Sequence, residues 1–256
     1  MKSVKRSAGS RQRSGSPLPR RQPDGTSCNS KRGEDGFTLL ELLVVIGLIA
    51  ALSLFLAGGL RGGGKATALR SGQALLANFI MVARSKALAT GQSSRVLVHV
   101  DVASALQPSR YLRCVAVQTQ ATGGWETFVD TFLPEGIYIV PGNFADIPAG
   151  LFASDTTVPW TKMDGSALRS TALRANAITV ETIDGSTAEQ WVGITISATG
   201  GTVQSGDLIV TVGKNRPPGS YSTGESPVEL ENPEDVRGLT LSSYAVPTLI
   251  NGRNSF

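Results

Sequence analysis

From Phe37 to Leu60 the chain reads FTLLELLVVIGLIAALSLFLAGGL, 24 residues that are apolar on every helical face and carry one charge, Glu41. At 1.5 Å per residue a helix of that length covers about 36 Å, enough to cross a bilayer. A surface helix of a soluble domain would instead show one apolar stripe. Glycines at Arg61 to Gly64 then predict a break. From Lys65 to Gly91 the pattern is amphipathic: Leu69, Leu75, Leu76, Phe79, Ile80, Ala83, Ala87 and Leu88 share one side, and Arg70, Gln73, Asn78, Arg84, Ser85 and Lys86 fall largely elsewhere. Gly91 is placed to stop this second helix.

Beyond Gly91 the period changes from helical to alternating. Strands are predicted near 94–100, 110–119, 125–133, 136–140, 177–183, 190–198, 207–212 and 237–249, separated by turn residues. The expected fold class is α+β, an N-terminal membrane helix and an amphipathic helix packed on an antiparallel β-sheet domain. Residues 141–176 and 213–236 are polar and longer than ordinary connections, so they are expected to be functional loops or mobile insertions rather than core.

Charge sharpens the division of the chain. Residues 1–36 hold nine basic and three acidic residues, a net of +6, so the other 220 residues of a chain of net charge +4 carry −2. The first 35 residues, rich in Ser, Arg, Pro and Gly, cannot bury enough apolar surface to offset the entropy of folding. The slightly acidic remainder lacks the basic surplus that phosphate backbones attract, so no nucleic-acid partner is expected.

Few residues offer catalytic chemistry. The one histidine, His99, sits in the alternating run Arg95-Val96-Leu97-Val98-His99-Val100 and is expected on the solvent face. It leaves no second imidazole for a zinc site and no other base for a nucleophilic triad, so neither enzymatic activity nor a metal or cofactor is expected. Gly59 to Ala66, GLRGGGKA, falls one residue short of a phosphate-binding loop: Ala66 replaces the hydroxyl that holds magnesium, and no strand precedes it. Glu225, Glu229, Glu231, Glu234 and Asp235 lack the glycine-centred spacing of a calcium loop and read as a solvated surface. Cys114 reads as a small buried hydrophobe.

Glu41 is the exception. A carboxylate in an apolar helix costs about 1–3 kcal/mol, depending on depth, and calls for a partner. Cleavage between Gly36 and Phe37 creates one, because the new amine on Phe37 lies four residues away, one helical turn. An ordinary secretory peptide is cut after its apolar region; here that region begins at the cut and is retained. Cleavage also removes Cys28, so Cys114 has no partner for an intramolecular disulfide.

The stretch GFTLLELLVVIGLIAAL at 36–52 closely resembles the class III signal of type IV pilins and type II secretion pseudopilins. That resemblance implies cutting after Gly36 by a prepilin peptidase, N-methylation of Phe37, and a role for Glu41 in docking into a filament. ARSKALATGQSSRVLV at 83–98, GWETFVDTF at 124–132, WVGITISATGGTV at 191–203 and VRGLTLSSYAVPTLING at 236–252 resemble minor pseudopilins of the GspH/FimT group. The implied organisation is a basic leader at 1–36, removed; a transmembrane and assembly helix at 37–60; a hinge and amphipathic helix at 61–91; and a periplasmic β-rich domain at 92–256. The implied partners are other pseudopilins or pilins, the prepilin peptidase and an inner-membrane assembly platform, and the positive-inside rule keeps the leader cytoplasmic. The leader is long for the family, the glycines at 62–64 interrupt a helix that is usually continuous, and the cysteine pair of many type IV pilins is missing. The last point favours a minor pseudopilin over a fibre pilin. A minor pilin in pilus assembly, adhesion or DNA uptake, and a membrane-tethered enzyme, are the alternatives.

Overall fold

A computed structural model of the protein describes residues 38–102, 108–142, 147–154, 157–173, 177–181 and 188–256, the side chains of 54–63, 108 and 181 excepted. Gly36 and Phe37 lie outside these residues. Two compact units divide the chain, Met1–Ala50 and Ala51–Phe256.

One helix, α1 (Leu39–Thr90), contributes to both units. It passes through Gly62, Gly63 and Gly64 without the break the sequence predicts. Each glycine costs a helix about 1 kcal/mol relative to alanine, but extending a helix is far cheaper than nucleating one, and long helical segments flank these three. At the other end the expected stop holds. Gly91 adopts φ 66° and its N–H donates to Ala87 O at 3.0 Å.

Among the described residues ten strands follow: β1 (Ser94–His99), β2 (Cys114–Ala121), β3 (Gly124–Phe132), β4 (Ile137–Ile139), β5 (Ile178–Glu181), β6 (Ala188–Ile196), β7 (Gly206–Asn215), β8 (Val228–Leu230), β9 (Val236–Leu241) and β10 (Pro247–Ile250). They form two antiparallel sheets where the sequence suggests one. The first has the order β3-β2-β1-β6-β5 and the second β10-β9-β7-β4, with β8 pairing β7. Strand alternation explains the arrangement. Val96 and Val98, Val115 and Val117, Ile194 and Ile196 from the first sheet join Leu208, Val210 and Val212, Leu239 and Leu241 from the second in one core with Leu69, Leu76, Phe79, Ile80, Ala83 and Ala87 of α1. Each large side chain buried there stabilises the fold by roughly 1.5–3 kcal/mol.

The opposite faces are covered too. Behind the second sheet, Leu151, Leu168, Val228 and Leu230 pack with Tyr138 and Ile209. The stretches 141–176 and 213–236 thus supply core residues that the sequence reading did not expect, although 163–166, 217–220 and 222–224 are exposed loop. Behind the first sheet a smaller cluster joins Leu97, Cys114, Ala116 and Trp191.

Candidate functional site

The described part of the first unit begins with Thr38. Its carbonyl accepts from Leu42 N–H at 3.1 Å, and its side-chain Oγ1 accepts from Glu41 N–H at 3.2 Å. Thr38 is therefore the N-cap of α1, and Glu41 occupies the N3 position of a Thr-x-x-Glu pattern. The carboxylate that looks costly in an apolar run sits in the first helical turn, where the helix dipole favours negative charge. Sequence reasoning missed this cap, although a threonine three residues before a glutamate is its usual signature.

Nine large apolar side chains between Leu39 and Ile49 are 48–86% exposed. They occupy every face of the helix. Among the described residues no helix is long and apolar enough to cross a membrane. The predicted span of 37–60 extends past them, since Phe37 and the side chains of 54–63 are not among them.

Within the second unit, three polar contacts tie α1 to the sheets. Lys65 Nζ meets Glu231 Oε2 at 2.8 Å, and this pair raises the lysine pKa. Gln73, read as an outward-facing polar residue, is instead buried and donates from Nε2 to Gly238 O at 2.6 Å and to Ile250 O at 2.7 Å. Arg84 Nε reaches Gly200 O at 3.3 Å and Tyr244 O at 3.0 Å, joining the β6–β7 and β9–β10 connections. Gly72 permits close packing, since a Cβ there would lie 2.9 Å from Ile137 Cγ2. The contacts of Lys65 and its place within α1 also account for the glycine-rich GLRGGGKA stretch without a phosphate.

The acidic run is similarly paired: Glu225 with Arg216 at 3.3 Å, Glu229 with Lys214 at 3.5 Å and Glu234 with Arg253 at 2.5 Å. Among the described residues no group of three or more His, Cys, Asp or Glu could hold a metal ion.

His99 corrects its expected position. It lies on the face of β1 turned away from α1, but that face is covered and the ring is 0% exposed. Burial, with the Arg110 charge adding to it, lowers its pKa to about 4. Cys114 is buried and free, as expected, and burial raises its pKa.

Residues 31–57 match the prokaryotic N-terminal methylation motif. The matched span contains Gly36, Phe37, Thr38 and Glu41, so the capped helix start falls inside it. No curated protein matches the chain. Two solved structures of the minor pseudopilin EpsH from the type II secretion system of Vibrio cholerae are similar to it. One, at 15% identity, covers 75% of this chain and 99% of its own with a TM-score of 0.35. The other, at 14% identity, covers 74% and 96% with a TM-score of 0.34. The functional reading rests on the motif and on the helix start, since likenesses at this level carry no argument.

Proposed function

We propose that the chain is a pilin-like subunit, cut between Gly36 and Phe37 by a prepilin peptidase and methylated on Phe37. Residues 37–60 then anchor it in the bacterial inner membrane before assembly, with the β-rich domain on the periplasmic side. The supporting observation is the methylation-motif match over 31–57 together with an exposed apolar helix that is capped by Thr38 and carries Glu41 in its first turn. Assembly moves that helix from lipid into a bundle of like helices, so its side chains stay dry throughout. A role for Glu41 follows from its charge: its carboxylate pairs with the new amine of Phe37, in the same chain or a neighbour, and so sets the depth at which the subunit docks.

Within that class the reading is a minor pseudopilin of a type II secretion filament. After Gly36 the sequence holds one cysteine, Cys114, and it is buried in the fold, so a disulfide-closed loop of the fibre-pilin kind has no counterpart. The minor type IV pilin is the second reading; the net charge of −2 after Gly36 disfavours its DNA-uptake variant. Replacing Glu41 with Ala tests the docking role. Cleavage is expected to proceed while recovery of the subunit in sheared filaments falls about tenfold, the equivalent of one lost 1.4 kcal/mol interaction. Normal recovery would remove Glu41 from the assembly mechanism.

A further inference from the structure

Behind the first sheet lies a buried polar cluster that the assembly reading does not use. His99, at the end of β1, is fully enclosed, and neither ring nitrogen has a hydrogen-bond partner. One carboxylate, Glu189 of β6, has Oε2 at 3.7 Å from His99 Nε2, too far for a hydrogen bond. Its other oxygen, Oε1, is held at 2.5 Å by Arg110 Nη1. Trp191 stands edge-on to the imidazole with ring centroids 5.1 Å apart, and its own Nε1 lacks a partner. Arg110 also lies 5.7 Å above the Trp191 ring. It further interacts with the thiol of Cys114 on β2.

The charge arrangement is finely poised. One carboxylate, Glu189, is placed between a permanent cation and an imidazole that is neutral at ordinary pH. The other groups facing the ring are Asp101, whose Oδ2 accepts from Gln190 N–H at 3.3 Å, and the neutral Cys114 thiol. A proton on His99 adds a second cation beside Arg110, with Glu189 placed between the two. Coulomb repulsion between two such cations is large in a buried setting, while Arg110, 21% exposed at its side chain, has a route to water that His99 lacks.

We propose that protonation of His99 in mild acid transfers Glu189 from Arg110 to the imidazolium, swings Arg110 outward and uncovers Cys114 and Trp191. The β-rich domain then carries an acid-operated shutter on the face of the first sheet away from α1, exposing an apolar patch that is closed at neutral pH. The depressed pKa of about 4 places the opening in the lower part of the window between the unfolded-state value of 6.5 and that figure.

The test uses the full chain in detergent with Cys28→Ser, so that Cys114 is the one reporting thiol. Its reaction with dithiodipyridine, an aromatic disulfide that attacks thiols in acid, is followed as pH falls and normalised to a cysteine peptide at each pH. The expected result is a rise of about tenfold in normalised rate while far-UV ellipticity stays native, the signature of local opening rather than unfolding. His99→Gln is expected to abolish the rise and Glu189→Gln to give a fast rate already at neutral pH. Because the chain has one histidine, its ring-proton titration by NMR is unambiguous and must share its midpoint with the labelling curve. A flat normalised rate, a rise that persists in His99→Gln, or midpoints that do not coincide would overturn the proposal, and the NMR comparison decides it even if a variant fails to fold.

Discussion

The Glu41 backbone N–H donates to the Thr38 hydroxyl at 3.2 Å, which fixes where α1 begins. The cap thus sits one residue after the position that cleavage would turn into a new N-terminus. The proposed cleavage point and the cap fall within six consecutive residues, Gly36 to Glu41. Thr38→Ala removes the acceptor and is expected to weaken the helix start by about 1 kcal/mol, whereas Thr38→Ser preserves it. Amide exchange of residues 39–42 in detergent reads this directly: several-fold faster in the alanine variant, unchanged in the serine variant.

Gln73 anchors the amphipathic half of the helix by bonding two carbonyls of the second sheet at once. Replacing it with Ala leaves Gly238 O and Ile250 O without that donor and is expected to cost about 2–3 kcal/mol. Gln73→Leu, which restores volume but not the donors, should recover little. Urea unfolding of the two variants, with unchanged m-values, checks both statements.

Packing at Gly72 makes a paired prediction. A methyl group there meets Ile137 Cγ2 at 2.9 Å, and Ile137 is buried, so Gly72→Ala should destabilise by about 1–3 kcal/mol despite alanine's better helix propensity. Removing that γ carbon with Ile137→Ala is expected to make the alanine at 72 cost less in the double variant than it does alone. A double-mutant cycle showing strict additivity would contradict the contact.

The pH dependence of stability has a defined sign. His99 is held neutral in the fold with a pKa near 4, below its unfolded value of 6.5, so the unfolded chain binds the extra proton first. Its contribution is fully present above about 6.5 and is lost as pH falls toward about 4, by at most about 3 kcal/mol. The unfolding midpoint of the wild-type protein should fall relative to that of His99→Gln as pH drops through that window; parallel curves would contradict the assignment.

Much of this fold was legible because its core strands alternate. Val96/Val98 and Val115/Val117 declare their inward face in the sequence, as the helical spacing of Leu69, Leu76, Ile80 and Ala83 does. What escaped depends on partners far along the chain. Gln73 lies on the buried face because carbonyls 165 and 177 residues away need a donor, which no local pattern encodes. His99 was placed correctly on the face opposite α1 and wrongly in solvent, because Arg110 and Trp191 cover it. β8 is three residues long within a Pro-, Gly- and Glu-rich stretch and offers too short an alternation to recognise. Glu41 stood out as a charge in an apolar run, but its hydrogen-bonded position behind Thr38 required coordinates.

Processing of the chain as a pilin-like subunit, as proposed, is read from the mass of its N-terminal peptide. Protein taken from the membranes of wild-type cells and of cells lacking the prepilin peptidase is digested and its first peptide measured. A wild-type N-terminus at Phe37 carrying one methyl group is expected, with an uncut chain retaining residues 1–36 in the deletion strain. The same N-terminus in both strains, or a wild-type protein beginning anywhere other than Phe37, would contradict it.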